Sequence, residues 1–253
     1  MNHFVIALVV FGCVFGSAVL GLFLGKVLPE HHLSNESSSV VRLATGLIGT
    51  MAAMVLGLLV SSAKNMYDTT SGDIVRNAAG VINVDRALAE YGPEVQDLRA
   101  LLKRNYIQTV DVIASGDRSR LASLTGPEAV GRGEDFRRRL KDLAPRDEAQ
   151  RELKTRSLQY AEDLLTTHWL ALLRVHGSTP TTLLVALVSW LCIIFCAFGL
   201  FAPLNGMTVS ALAMCALATA GALFLIEEMN SPLEGMVRVS FEPMHEAIAH
   251  LGR

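Results

Sequence analysis

Four long stretches of this 253-residue chain carry no charge at all: Phe4 to Gly25, Leu43 to Ala63, Thr181 to Ala202 and Met207 to Ile226. None has an acid, a base or a proline in its middle, so the intramembrane titratable groups and broken helices that proton-coupled and substrate-binding transporters use are missing. Also missing are the G-x-S-x-G, phosphate-binding-loop, dinucleotide and H-E-x-x-H patterns, and no enzyme class is indicated. The net charge is -2 and no basic block or basic-aromatic interleaving occurs, which argues against a nucleic-acid binder. Runs that alternate apolar and polar residues between turn pairs are absent, leaving little material for strands. Cysteine is scarce, and Cys13, Cys192, Cys196 and Cys215 all fall inside apolar stretches without His or acidic neighbours. There they behave as small hydrophobes rather than as a disulfide or zinc framework. No cofactor is expected.

What remains is hydrophobic length. Hydrophobic residues make up 51% of the chain and charged residues 18%. Each charge-free stretch is long enough, at about 1.5 Å per helical residue, to cross a hydrocarbon core of about 30 Å. The expectation is an all-α polytopic membrane protein in a lipid bilayer. The first stretch differs from a secretory signal: no Lys or Arg precedes it, and its run exceeds the usual 7 to 15 residues or so, so it reads as a retained helix. The chain divides on this reading into transmembrane helices one and two (1–64), a helical domain (65–180), a hairpin of spans three and four (181–226) and a tail (227–253). The hairpin turn, Ala202-Pro203-Leu204-Asn205-Gly206, is short enough to require antiparallel neighbours.

Of the 22 Lys and Arg, 18 lie from Lys64 to Arg174, and the connection Pro203 to Gly206 has none. The positive-inside rule places the middle segment and both termini on the cytoplasmic side of an inner (plasma) membrane. Within that segment Val95, Leu98, Leu101, Leu102, Tyr106, Val110 and Ile113 recur at helical spacing, and a second long helix is expected from Pro145 to His176, with Asp147 and Glu148 in its first turn. Breaks are expected at Gly92-Pro93, Gly116, Gly126-Pro127, Gly131 to Gly133 and Ala144-Pro145. Arg137 to Arg139 and Lys141 are balanced by Glu134, Asp135 and Asp142, as on a solvated face. In the tail, Met236 to Phe241 is a candidate extended segment and Pro243 is expected to open a last short helix ended by Gly252.

The second span, between Arg42 and Lys64, has two unlike faces. On a helical wheel Arg42, Gly46, Gly49, Ala53, Gly57, Val60 and Lys64 fall within about 80° of one another. Leu47, Met51, Met54 and Leu58 lie opposite, and Leu56 borders the small stripe. Small residues at this spacing permit close helix packing in lipid, with the terminal cations as headgroup anchors. They also suit a conduction path lined by small apolar side chains with a ring of positive charge at each mouth. Two further clusters have metal-compatible chemistry without a fixed ligand geometry. One is Glu30, His31, His32 and Glu36 beside Pro29 in the first connection, Val27 to Val41, whose serines are expected to cap the next helix. The other is the i, i+3 pair Glu242 and His245.

Three segments, LPEHHLSNES after the first span, VLGLLVSSAKNMYD closing the second and FLIEEMNSPLEGMVRVSFEPMHEAI after the fourth, resemble the bestrophin-like family of bacterial membrane proteins. The resemblance covers nearly the whole chain. Through it the chain is more distantly similar to bestrophins, pentameric anion channels with a neck on the second helix and a helical cytosolic vestibule. Leu225 to Gly235 is similar to the bestrophin stretch in which an acidic residue precedes Asn-Pro-Phe-Gly; here Ser231 separates Asn230 from Pro232, and Glu234 precedes Gly235. The second span has no neck phenylalanines and no acidic run follows the tail, so calcium gating is not implied. The resemblance implies a homo-oligomeric channel for small anions with its pore on the second span; the alternative is a non-conducting membrane scaffold whose cytosolic helices bind a protein partner.

Overall fold

The four charge-free stretches fall together in the first unit of the fold, which comprises residues 1–65 and 178–230. The computed structural model describes residues 3–28, 35–124, 126–175, 181–233 and 235–253. Four of its helices are long and apolar enough to cross a membrane: α1 (His3–Val27), α2 (Asn35–Tyr91), α7 (Thr181–Phe201) and α8 (Gly206–Met229). All regular structure among the described residues is helical. The Asn205 side chain caps α8 by accepting from the Thr208 N–H at 2.8 Å, which closes the expected hairpin turn with the residue type that favours that position.

α1 and α7 meet backbone to backbone. A methyl group added at Gly21 or Gly199 would overlap the carbonyl oxygen of Cys196 or of Ala18, and one at Gly25 would stand 2.6 Å from the Leu200 carbonyl oxygen. Small residues three and four apart on both helices make this approach available, and in lipid it is van der Waals contact of this kind that holds spans together. Around the seam, Val10, Val14, Ala18, Leu187, Phe195 and Leu223 join the apolar core of this unit.

The second unit comprises residues 66–177 and 231–253. It holds the charged part of α2, a 3₁₀ turn (Pro93–Val95), α3 (Gln96–Ser115), α4 (Arg118–Ser123), α5 (Pro127–Lys141), α6 (Glu148–Val175) and α9 (Glu242–His250). One face of α3, Leu98, Leu102, Tyr106 and Val110, packs with Val81, Val84 and Leu88 of α2 and with Phe136, Leu140, Met244 and Leu251. The period-3.6 spacing in the sequence is that face. α3 stops at Gly116, whose left-handed φ of 61° lets its N–H turn back to the Ile113 carbonyl; the Arg238 guanidinium lies where any side chain would go.

Four local expectations are corrected. α2 begins at Asn35, so the serines of residues 37–39 lie inside the helix and the first connection is shorter than Val27 to Val41. Gly131 and Gly133 do not interrupt α5: the helix runs through them, and at Gly133 a Cβ would come within 3.1 Å of Leu165 on α6, so the glycine serves a close approach. α6 starts at Glu148 rather than Pro145. Asp147 accepts from the Gln150 N–H at 2.7 Å while Gln150 Oε1 accepts from the Arg146 N–H at 2.9 Å, a reciprocal cap that fixes the start there. Finally, α8 continues past Ile226 through Glu227 and Glu228.

Candidate functional site

In the membrane unit α2 buries a face that its hydropathy does not mark. Thr45, Ala52, Leu59 and Ala63 are buried, with Ile48, Val55 and Leu56 partly so, and the apolar members of this row belong to the core of that unit. At about 100° per residue this row is centred on the order of 90–100° around the helix from the small stripe. Because the span is apolar all round, only contact, and not periodicity, distinguishes it.

The small stripe therefore lies outside its own bundle. Arg42, Gly46, Ala53, Gly57, Val60 and Lys64 are exposed and Gly49 is half-buried. No described atom beyond the helix itself stands within 4 Å of a Cβ built at Gly46, Gly49 or Gly57. Close packing of the stripe within the chain, one form of the packing alternative, is thereby overturned among the described residues. The bulky row is also uncovered, with Met54 80% exposed.

The two cations sit at opposite ends of this face, about 33 Å apart at the helical rise. The Arg42 guanidinium carbon lies 5.7 Å from the centroid of the Phe201 ring, at the last residue of α7, a cation–π contact that orients the charge at that end. At the end where α1 starts and α8 stops, His3 Nδ1 lies 2.9 Å from Glu228 Oε1, and Glu228 is only 3% exposed. This buried acid lies next to the apolar core, beyond the charge-free stretch that ends at Ile226.

The metal-compatible residues Glu30, His31 and His32 lie outside the described residues, as does Glu234, and nothing of the Glu36 side chain is described. Glu242 and His245 share α9, but the His245 Nδ1 faces the Phe241 carbonyl oxygen at 3.0 Å. In the basic cluster, Arg138 and Arg139 pair with Asp135 at 3.3 and 2.9 Å on an exposed surface. Arg137 departs from the expected solvated face: it is half-buried and lines a cavity of the helical unit.

A family model, the bestrophin-like domain, matches residues 12–244 of the chain. Searches of curated proteins and of solved structures each found no match.

Proposed function

Since the chain belongs to the bestrophin-like family of membrane proteins, we propose that it forms a homo-oligomer in the bilayer that passes small anions passively along a path lined by Arg42, Gly46, Gly49, Ala53, Gly57, Val60 and Lys64. The observation that carries this reading is the open space over Gly46, Gly49 and Gly57 on a helix anchored to its own bundle by a different face. In a ring of copies the buried row holds α2 to its own subunit, the bulky row meets a neighbour or lipid, and the small row faces the axis. Side chains no larger than valine leave a lumen there, and in a ring each cation becomes a belt that concentrates anions at a mouth. The apolar middle holds no group that titrates, so transport is passive. The cation-rich helical unit and both termini are cytoplasmic on this reading, in an inner (plasma) membrane.

Reconstituted protein of known oligomeric mass tests it. Liposomes should pass chloride in preference to potassium, with the preference weakening as salt shortens the Debye length below about 10 Å. Arg42→Glu should reduce chloride flux relative to cation flux, while Arg138→Glu, on a solvated surface, should leave it unchanged. An assembled oligomer that passes neither ion would leave the alternative, a scaffold whose cytosolic helices dock a partner.

A further inference from the structure

The helical unit has an open-mouthed cavity of about 160 Å³ between α2, α3, α5 and α6. Its walls are Val81, Leu102, Phe136, Ala161 and Leu164, so most of what it offers is apolar. Two polar groups at this cavity are buried without a hydrogen-bond partner among the described residues, the Tyr106 hydroxyl and the Asn77 Oδ1. Tyr106 is 8% exposed, and burial pushes its phenol up from the ordinary value, so it stays protonated and able to donate at any physiological pH. Each buried group left unsatisfied costs stability, so a ligand or a water that bonds to them is favoured here.

Arg132 and Arg137, both half-buried, line the same cavity, and neither makes an ion pair with any described residue. Their neighbours on α5 behave differently: Arg138 and Arg139 point outward and share Asp135. Glu134 and Glu162 line an adjoining groove that shares Arg137 with the cavity, and among the described residues no acid lines the cavity itself.

We propose that this cavity is a binding site for a small organic anion: a carboxylate held by Arg132 and Arg137, an apolar body the size of a single ring among Val81, Leu102, Phe136 and Leu164, and a hydroxyl that reaches Tyr106 or Asn77. The volume fits, because a dry cavity of about 150 Å³ admits a benzene-sized body. The chemistry fits as well. A ligand hydroxyl can accept from the Tyr106 O–H or donate to Asn77 Oδ1, and guanidinium is the side chain best matched to carboxylate. Nothing in this assignment depends on whether the membrane unit conducts.

Titration calorimetry on the full-length protein in detergent, with 4-hydroxybenzoate as probe, tests it. Saturable binding of one probe per chain is expected, with benzoate and phenol, each lacking one of the two polar groups, weaker by about tenfold, the loss expected for about one buried hydrogen bond or charge pair. Arg137→Gln should weaken the probe by at least about tenfold and should not weaken phenol, whereas Arg138→Gln should change neither. Tyr106→Phe should reduce the advantage of the probe over benzoate. The comparison of three ligands on the unaltered protein stands even if a cavity variant fails to fold. A cavity occupied only by water gives no saturable binding, and that result overturns the proposal. So does binding that benzoate and phenol match, or that Arg138→Gln weakens as much as Arg137→Gln.

Discussion

Arg99 grips Asp85 with both arms of its guanidinium, Nε at 2.8 Å from Oδ1 and Nη2 at 2.7 Å from Oδ2, and both residues are buried, Asp85 to 3% exposure. The pair also holds the last residues of the chain. The Gly252 N–H donates to Asp85 Oδ2 at 3.0 Å, Arg99 Nη2 donates to the Arg253 carbonyl at 3.0 Å, and Lys103 Nζ donates to the Leu251 carbonyl at 2.7 Å. Gly252, with φ at 82°, supplies the left-handed turn that aims its N–H back at the carboxylate.

Truncating one member of this pair leaves the other as an uncompensated buried charge, so Asp85→Ala should destabilise the helical unit by about 3–5 kcal/mol, and Asp85→Leu with Arg99→Leu by less than either change alone. Denaturant titration of the wild type, Asp85→Ala, the two single Leu variants and the double variant checks it. Additive losses would mean that the two residues act independently.

The same pair sets an acid limit. Burial alone would raise the Asp85 carboxyl, but the bonds from Arg99 and the Gly252 N–H and the charges of Arg99 and Lys103 outweigh it and hold the carboxyl below the ordinary range. Asp85 lies 21 residues beyond Lys64, outside the apolar span. Its folded value being depressed, its contribution is complete above the unfolded value near 4 or so and is lost as pH falls through the folded value. Melting temperature should therefore fall below about pH 4 more steeply in the wild type than in Asp85→Asn. Parallel acid limbs would refute the assignment.

Glycines of the membrane unit should divide into two classes. Gly21→Ala and Gly199→Ala place a methyl group into a facing carbonyl and should lower the melting temperature and separate α1 from α7. Gly49→Ala meets open space within the chain and gains helix propensity, so it should be neutral or slightly stabilising for the subunit. Gly49→Leu should leave the subunit folded but change the oligomer or its flux. If its melting temperature, oligomeric mass and flux all match the wild type, the stripe faces lipid.

Orientation is read by thiol labelling of intact cells. With the native cysteines replaced, Leu204→Cys in the uncharged α7–α8 turn should react with an impermeant reagent, and Arg120→Cys in the short α4 of the helical unit should not. The reverse pattern would invert the protein.

Legibility followed the range of the interaction. The buried row of α3, Leu98, Leu102, Tyr106 and Val110, could be read from spacing because its opposite side is polar. The buried row of α2 in the membrane unit could not, since Ala52 and Leu59 are no more apolar than Met54 or Leu58 and only the presence of neighbouring helices separates them. The outward position of the small stripe was hidden for the same reason. Asp85 and Arg99 pair only because the chain turns at Gly92 and the 3₁₀ turn that follows, a geometry that no local spacing encodes. The cap formed by Asp147 and Gln150 is present in the sequence as an acid-x-x-Gln signature, but Pro145 is an equally good start signal and local pattern does not choose between them.

The seam between α1 and α7 also imposes an order of manufacture. Gly21 and Gly199 are 178 residues apart, and a ribosome adding about 5–20 residues each second needs about 10–35 s to travel from one to the other. Throughout that interval the first span waits in the bilayer with its glycine groove unfilled. The packing of this unit is therefore completed only after most of the chain has been synthesised.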